Sequence, residues 1–120
     1  MKRILLIDDD DDFRKMLKIS LEKAGYEVLE AEDGKVGCQI YNRTLCDLVI
    51  TDIFMPVKEG FETIATLKNE HPDVKIIAIS GGGQYKHLEF LAMAGEFGAA
   101  AVMEKPLKVA HLLEKIERLL

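Results

Sequence analysis

The sequence predicts one α/β domain built on a parallel five-stranded β-sheet with helices on both faces. Short apolar segments alternate five times with longer segments in which apolar residues recur at helical spacing. The connections between these segments are short, which is typical of parallel strands joined by right-handed crossover helices. The length of 120 residues fits one domain, and the 48% of hydrophobic residues is enough for a single core.

The first two strands and helices are indicated by residues 1–43. The apolar run 4–7 predicts a central strand, buried on both faces. The next helix begins within the aspartate run 8–12, where negative charge suits a helix N-terminus, and Gly25 ends it. Residues 26–31 are more polar and predict an edge strand, and a second helix runs from residues 33–34 to residue 43. The inward-facing positions of the two helices include Phe13, Met16, Leu17, Leu21, Ala24, Val36, Ile40 and Tyr41.

The third strand, residues 48–50, ends at a carboxylate, Asp52. In the turn that follows, we expect Pro56 to fix the backbone and Gly60 to allow an unusual backbone angle. A third helix is predicted from about residue 60 to residue 69, and Pro72 lies in the segment that breaks it. Its inward-facing residues are Phe61, Ile64, Ala65 and Leu67.

The rest of the chain predicts two more strands and two more helices. Residues 74–79 form the fourth strand, which ends at Ser80 and leads into a glycine loop at 81–83. The fourth helix is predicted at about 85–94, the fifth strand at 100–103 and the last helix at about 109–119.

Composition and charge exclude several classes of protein. The net charge of −5, from 16 basic and 21 acidic residues, argues against nonspecific nucleic-acid binding. No apolar run approaches the roughly 20 residues of a membrane span, and the N-terminus lacks a signal-peptide layout. Cys38 and Cys46 have no metal-binding spacing, so we expect reduced, packed thiols in a cytoplasmic protein.

Polar residues follow four of the predicted strands. Asp8 and Asp9 come after the first strand, Asp52 ends the third, Ser80 ends the fourth and Lys105 follows the fifth. Parallel strands share one carboxyl edge, and open α/β sheets bind their ligands beyond that edge. We therefore expect these five side chains to converge. Taken singly, Asp52 and Ser80 could be turn residues, and residues 10–12 are expected to start a helix instead of joining the site.

The converging residue types favour phosphoryl transfer. Three close carboxylates repel one another, and a hard divalent cation such as Mg²⁺ relieves that repulsion. Lys105 can bind an anion, and Ser80 offers a hydroxyl donor. Positioning and charge neutralisation supply most of the catalysis in phosphoryl transfer, and a carboxylate can itself accept the group as an aspartyl phosphate.

On these residues the sequence resembles the receiver domains of two-component response regulators, the CheY-like superfamily, in their stand-alone form. The matching motifs are Ile7-Asp8-Asp9-Asp10 with Arg14, Asp52-x-x-Met55-Pro56 with Gly60, Ile79-Ser80-Gly81, and Lys105-Pro106. The resemblance implies a flavodoxin-like fold with strand order 2-1-3-4-5. It also implies that residues 1–120 form one receiver domain without an effector domain.

The resemblance implies a role for each site residue. Asp52 is the expected phosphoacceptor, and Ser80 and Lys105 are expected to bind phosphoryl oxygens. The expected ligands of Mg²⁺ or Mn²⁺ are Asp8, Asp9, Asp52 and the backbone carbonyl of Phe54. The Lys105-Pro106 peptide is expected to be cis. The protein would be a signalling module with slow self-dephosphorylation, and not a turnover enzyme.

The resemblance also implies partners. The phosphoryl donor would be a phosphohistidine on a sensor histidine kinase or a histidine phosphotransfer protein. The expected output surface comprises the fourth predicted helix, the fifth strand and the fifth helix, and it contacts another protein. Neither direct nucleic-acid binding nor membrane insertion is expected, and the expected location is the cytoplasm.

Two positions depart from the family pattern or modify it. Val102 stands where many members carry an aromatic residue that reorients on phosphorylation, so the signal is expected to pass through residues 81–83 and the fourth helix. Phe54 lies two residues after the acceptor, where side-chain bulk hinders attacking water in this family, and this underlies the expected slow dephosphorylation.

Two alternatives stay open at this point. The first is a phosphatase resembling the haloacid dehalogenase superfamily, with Asp8 and Asp10 as its aspartate pair and Ser80 and Lys105 in support. Against it, Asp12 stands where that motif has Thr or Val, no cap domain is expected, and Met55-Pro56 has no purpose there. The second is a receiver fold that serves only as a docking scaffold.

Overall fold

A computed structural model confirms the predicted parallel sheet and the strand order β2-β1-β3-β4-β5. The structure describes residues 1–53, 57–80, 92–93 and 95–120, with the side chains of 57–59 left aside. The five strands, all parallel, are β1 (Arg3–Ile7), β2 (Glu27–Ala31), β3 (Leu48–Asp52), β4 (Ile76–Ser80) and β5 (Ala101–Glu104).

Four helices have bounds within these described ranges. They are α1 (Asp11–Lys23), α2 (Gly34–Arg43), α3 (Val57–Glu70) and a C-terminal helix (Val109–Leu119). Residues 92–93 and 95–97 are also helical, which extends past the predicted end of the fourth helix at residue 94. Most of that predicted helix, with the glycine loop at 81–83, lies outside the described residues.

The sheet separates two hydrophobic layers, as a strand that is apolar on both faces requires. Along β1, Leu5 and Ile7 face the layer of α2 and α3, whereas Ile4 and Leu6 face the layer of α1 and the C-terminal helix. Strands β3 and β4 are buried along their whole length, while the outer strands β2 and β5 are partly exposed. The predicted edge position of the second strand is therefore confirmed.

The predicted ends of α1 are confirmed, but two residues predicted to face inward, Met16 and Ala24, are exposed. Asp10 is the N-cap, and its carboxylate accepts a hydrogen bond of 3.1 Å from the backbone N–H of Phe13. Gly25 follows the helix at a φ of 99°, where glycine is favoured. Met16 was predicted to face the core but is 44% exposed, because the buried face of α1 comprises Arg14, Leu17 and Leu21.

Gly60 has a different role from the one predicted. It lies inside α3, which begins at Val57, and its φ is not in the left-handed region. A Cβ at this position would lie 2.5 Å from the Cα of Ile53. Gly60 is therefore required because α3 packs directly on the backbone that follows β3, and not because the chain turns there.

The two cysteines are packed, as predicted. Both are free thiols, with Cys46 buried and Cys38 half-buried. Burial raises the pKa of Cys46 to about 11, so this thiol is protonated and unreactive at neutral pH.

Candidate functional site

The acidic residues of β1 and β3 meet at the carboxyl edge of the sheet. Asp8 follows β1 directly and Asp52 ends β3, and their exposures are only 1% and 4%. Asp9 is exposed beside them. One carboxylate oxygen from each of the three residues lies within 4.8 Å of the others, which is a spacing that a hard cation could bridge. The predicted convergence of Asp8, Asp9 and Asp52 is thus observed.

Lys105 joins this cluster from β5. Its Nζ donates hydrogen bonds of 3.0 Å to Oδ2 of Asp8 and of 3.0 Å to Oδ2 of Asp52. The backbone N–H of Lys105 bonds to the carbonyl of Ser80, which ties the end of β5 to the end of β4. The Lys105–Pro106 peptide is cis, as expected. One ammonium group therefore bridges the carboxylates of two separate strands.

The pKa values of Asp8 and Lys105 are both raised in the fold. A raised pKa opposes folding when the group is a carboxyl and favours folding when it is an ammonium group. The pKa of Asp8 is raised, first by burial and also by the Asp52 charge, although the N–H of Asp10 and the Lys105 ammonium oppose the shift. Burial lowers the pKa of Lys105, but hydrogen bonds and charge from Asp52 and Asp8 outweigh it and raise the pKa overall. Lys105 is therefore fully charged at neutral pH, whereas burial and the Asp52 charge disfavour ionisation of Asp8.

Ser80 lies at the end of β4, adjacent in the sheet to β3 and β5. Its residue exposure is 0%, and its Oγ has no hydrogen-bond partner among the residues that the structure describes. A buried hydroxyl without a partner costs free energy, so such groups usually serve a ligand or a strained state. This hydroxyl can donate to an anion that enters between β3 and β5.

Three residues that had no predicted role in the site support the cluster. The ring centroid of Phe13, on α1, lies 4.0 Å from Nζ of Lys105. Arg14 was noticed only as part of a motif, yet its guanidinium is buried and bonds to the backbone carbonyl of Asp8 at 2.6 Å. Glu30, on β2, accepts bonds from Arg14 and Lys18. The family motif was the one sequence signal for Arg14, whereas the positions of Phe13 and Glu30 look like ordinary packing and surface charge.

Some residues considered for the site lie outside the described residues or outside the cluster. The carbonyl of Phe54 lies outside the described residues, and so does the loop at 81–83. Asp10 caps α1 and is not part of the three-carboxylate cluster. Val102 is partly buried on β5, opposite Ala78 of β4.

The fold and the site together define a flavodoxin-like α/β protein whose carboxyl edge carries an acidic cluster bridged by a lysine. Comparison with known proteins narrows this class. The sequence model of the family described as "Response regulator receiver domain" matches residues 4–117.

Relatives of known name agree over nearly the whole chain. The response regulator receiver protein CpdR of Brucella abortus is 35% identical over 100% of this chain and 98% of its own length. The chemotaxis protein CheY of Thermotoga maritima is 34% identical over 98% of this chain and 96% of its own. A crystal structure of a CheY-like receiver domain protein from Methanospirillum hungatei superposes with a TM-score of 0.89 at 35% identity, covering 99% of this chain and 94% of that one.

The chain belongs to the receiver-domain family of two-component response regulators. Receiver domains are phosphoacceptor modules whose signalling is controlled by phosphorylation, and they bind Mg²⁺ at an acidic pocket. The phosphatase alternative is not supported, and its second aspartate, Asp10, caps α1 outside the three-carboxylate cluster. Within the described residues, the helices are too short or too polar for one of them to cross a bilayer.

Proposed function

We propose that Asp52 accepts a phosphoryl group and that Asp8, Asp9, Ser80 and Lys105 assist the transfer. The observation that carries this proposal is the bridging position of Lys105, whose Nζ lies 3.0 Å from carboxylate oxygens of both Asp8 and Asp52. A lysine held by the acceptor itself stands ready to bind the phosphoryl oxygens as soon as the acceptor is modified.

The three-carboxylate cluster fits Mg²⁺. Asp8, Asp9 and Asp52 each offer an oxygen within 4.8 Å of the others, and hard oxygen donors are the ligands that this ion prefers. We propose that these residues hold Mg²⁺ (or Mn²⁺), with the carbonyl of Phe54 as a further ligand. When bound, the ion neutralises charge on the acceptor and on the incoming phosphoryl group.

Three residues of the site have separate roles in the proposed phosphoryl transfer. An oxygen of Asp52 forms the bond to phosphorus while the bond from phosphorus to the donor's imidazole nitrogen breaks. Lys105 moves its hydrogen bond from the Asp52 carboxylate to a phosphoryl oxygen, and its ring contact and its bond to Asp8 keep it in place. The hydroxyl of Ser80 donates to a second phosphoryl oxygen and so gains the partner it lacks in the described structure.

The proposal is tested by intact mass after incubation with acetyl phosphate, with and without Mg²⁺. We expect one phosphoryl adduct that requires Mg²⁺ and disappears in Asp52→Asn. Asp47→Asn is the matched control, because Asp47 precedes the same strand at its opposite end, where its carboxylate accepts a bond of 2.7 Å from the backbone N–H of Arg3. An adduct that survives in Asp52→Asn would refute the assignment of the acceptor.

We further propose that the natural donor is a phosphohistidine on a sensor histidine kinase or a histidine phosphotransfer protein. Output would pass through β5, the C-terminal helix and the fourth predicted helix to a protein partner. A groove of about 460 Å³ between β5 and the C-terminal helix, lined in part by Met103 and Leu107, supports a contact there. With Val102 in place of an aromatic, phosphorylation should slow or speed amide hydrogen exchange at 81–95; unchanged exchange there would contradict this route.

We also propose that the protein is a slowly self-dephosphorylating acceptor and not a turnover enzyme. Phe54 is expected to hinder attacking water at the aspartyl phosphate. Phe54→Ala should therefore shorten the phosphoryl lifetime, measured by loss of the adduct mass with time. An unchanged lifetime would show that Phe54 is not the shield.

The unit that performs this function is proposed to be one receiver domain over residues 1–120, to which the family match at 4–117 lends support. Its proposed location is the cytoplasm, in keeping with two free thiols.

A further inference from the structure

Arg14 is a buried arginine that connects three parts of the molecule. It lies in the first turn of α1, and its side chain is only 9% exposed. One terminal nitrogen donates to the backbone carbonyl of Asp8 at 2.6 Å, and the other donates to Asp11 Oδ1 at 2.6 Å. Its Nε donates to Glu30 Oε1 on β2 at 3.0 Å. The planar guanidinium presents donors on three separate nitrogens in fixed directions, whereas an ammonium group presents three rotatable donors on a single nitrogen.

The carbonyl that Arg14 binds belongs to the peptide unit joining Asp8 to Asp9. A planar peptide moves as one body, so holding its oxygen fixes the direction in which the chain leaves Asp8. Asp8 is fixed elsewhere as well, since its backbone N–H bonds to the carbonyl of Ala31 and its Oδ1 accepts from the N–H of Asp10. The exposed Asp9 depends on the orientation of this peptide for its place in the cluster.

Glu30 keeps the guanidinium in this orientation. Its second oxygen, Oε2, accepts a bond of 3.3 Å from Lys18, so both carboxylate oxygens are held by α1. The Arg14 and Lys18 hydrogen bonds outweigh burial and lower the pKa of Glu30, which therefore stays ionised well below neutral pH. Glu30 on β2 therefore orients Arg14, and Arg14 in turn holds the Asp8–Asp9 peptide.

We propose that Arg14 is a positioning residue for the metal site: by holding the Asp8–Asp9 peptide, it sets the placement of the two acidic ligands that precede α1. This inference rests on the proposed Mg²⁺ site. It adds a residue that touches neither the ion nor the phosphoryl group, and its effect is on the affinity of the site for the cation. Partners that orient metal ligands from outside commonly change affinity by about 10-fold to 100-fold.

Positioning and simple electrostatics predict opposite outcomes for the same substitutions. Arg14 carries a positive charge close to a cation site, so a purely electrostatic role would make Arg14→Met bind Mg²⁺ more tightly and leave Arg14→Lys unchanged. A positioning role makes both variants bind more weakly, because lysine keeps the charge but cannot reach the Asp8 carbonyl and Glu30 together. The lysine variant also keeps an ion-pair partner for Glu30, which protects the fold.

The experiment is a titration of the full chain with MgCl2 at constant ionic strength, followed by ¹H–¹⁵N NMR shifts of the Asp9 and Asp10 amides. We expect the Kd for Mg²⁺ to rise about 10-fold or more in Arg14→Lys and in Arg14→Met. Arg3→Met is the matched control. Arg3 also joins β1 to β2 through an ion pair, to Glu27 at 2.9 Å, but at the opposite end of the strands. Its removal should leave the Kd unchanged.

Each outcome of this titration either supports or overturns the positioning role of Arg14. Wild-type affinity in Arg14→Lys, or tighter binding in Arg14→Met, would overturn the positioning role while leaving the proposed function intact. Equal weakening in Arg3→Met would show a general effect of lost stability and would also overturn it. Absence of Mg²⁺ binding by the wild-type chain would overturn the proposed metal site and this inference with it. The NMR spectra of the metal-free variants report directly whether each one is folded.

Discussion

The side chain of Lys105 contacts two carboxylates and one aromatic ring. Its Nζ is bonded to Asp8 and Asp52 and lies 4.0 Å from the ring centroid of Phe13. The carboxylates supply the charge complement, while the ring attracts the cation without competing for its hydrogens. In the proposed transfer, the ammonium group would exchange one oxygen partner for another while the ring contact keeps it in position.

We predict that Phe13→Leu makes the position of the Lys105 ammonium group less fixed. Leucine fills the hydrophobic layer but has no ring, and a cation–π contact contributes about 0.5–2 kcal/mol. The rate of phosphorylation by acetyl phosphate should fall by a factor of roughly 2 to 30. The NMR signals of the Lys105 side chain should also move, because they lose the ring-current field. Phe13→Tyr keeps the ring and is the control; a wild-type rate and unmoved lysine signals in Phe13→Leu would contradict the role.

We also predict that Asp8→Asn stabilises the metal-free protein at neutral pH. The pKa of Asp8 is raised in the fold by burial and by Asp52, so its ionised form opposes folding. The wild type carries no such cost below the unfolded aspartate pKa of about 4, and acquires it as pH rises through the raised folded value. The stability difference between Asp8→Asn and wild type should be near zero at acidic pH and positive at pH 7.

The check is urea denaturation in EDTA across this pH range. Asp47→Asn, far from the cluster, should not reproduce the pattern. A variant that is less stable than wild type at pH 7 would show that the Lys105 bond to Asp8 outweighs the repulsion.

At the scale of single residues, the chemistry-bearing groups could be predicted and their supports could not. Asp8, Asp52 and Lys105 stand at strand ends, and strand ends of a parallel sheet must meet. Phe13 and Arg14 lie at positions of α1 that any buried helix face would occupy. Only the folded structure shows that these two positions face the site as well as the core.

Among the elements, α3 starts about three residues before its predicted position, and β4 starts two residues after its predicted position. A glycine usually marks a turn, so the helix was expected to begin at Gly60, whereas it begins at Val57. A glycine inside a helix costs about 1 kcal/mol relative to alanine. The close approach to Ile53 explains why glycine is present at position 60 despite this cost, because no side chain fits between α3 and the backbone after β3. A propensity rule cannot reveal such a contact between elements.

We predict that Gly60→Ala destabilises the protein by about 1–3 kcal/mol or more, because the new Cβ would lie 2.5 Å from backbone at Ile53 and α3 must shift. Since Ile53 follows the proposed acceptor directly, phosphorylation by acetyl phosphate should also slow. Urea denaturation and adduct formation over time measure the two effects.

Gly95→Ala is the matched control for this substitution. Gly95 is helical, and a Cβ there would meet no atom of the described residues within 4 Å. This change should be neutral or stabilising by up to about 1 kcal/mol. Equal stability of Gly60→Ala and wild type would show that the contact with Ile53 relaxes without cost.

For the molecule as a whole, the alternation of strands and helices was sufficient to predict a parallel sheet, and the polarity of residues 26–31 was sufficient to place β2 at an edge. The order of the inner strands came from resemblance, because alternation alone is compatible with more than one winding. The two-layer core follows from strands such as β3 and β4, which are apolar on both faces.

We predict that Mg²⁺ stabilises the whole domain. A cation that binds only the folded state adds RT ln(1 + [Mg²⁺]/Kd), or about 1.4 kcal/mol at ten times the Kd. The Tm should therefore rise on addition of MgCl2 and return on addition of EDTA. Asp9→Asn should lose most of this increase while keeping the metal-free Tm, since Asp9 is exposed. An equal increase with NaCl at the same ionic strength would indicate screening instead of binding.

The bond between Lys105 and Asp8 joins residues 97 positions apart in the chain. During synthesis Asp8 and Asp52 leave the ribosome well before Lys105, so the bridging ammonium group is the last part of the cluster to be made. Contacts of such long separation also form late in folding, because the loop between them must close first. The ability to accept a phosphoryl group should thus appear only when translation has passed β5 and that strand has docked. A chain truncated before β5 should therefore form no phosphoryl adduct with acetyl phosphate.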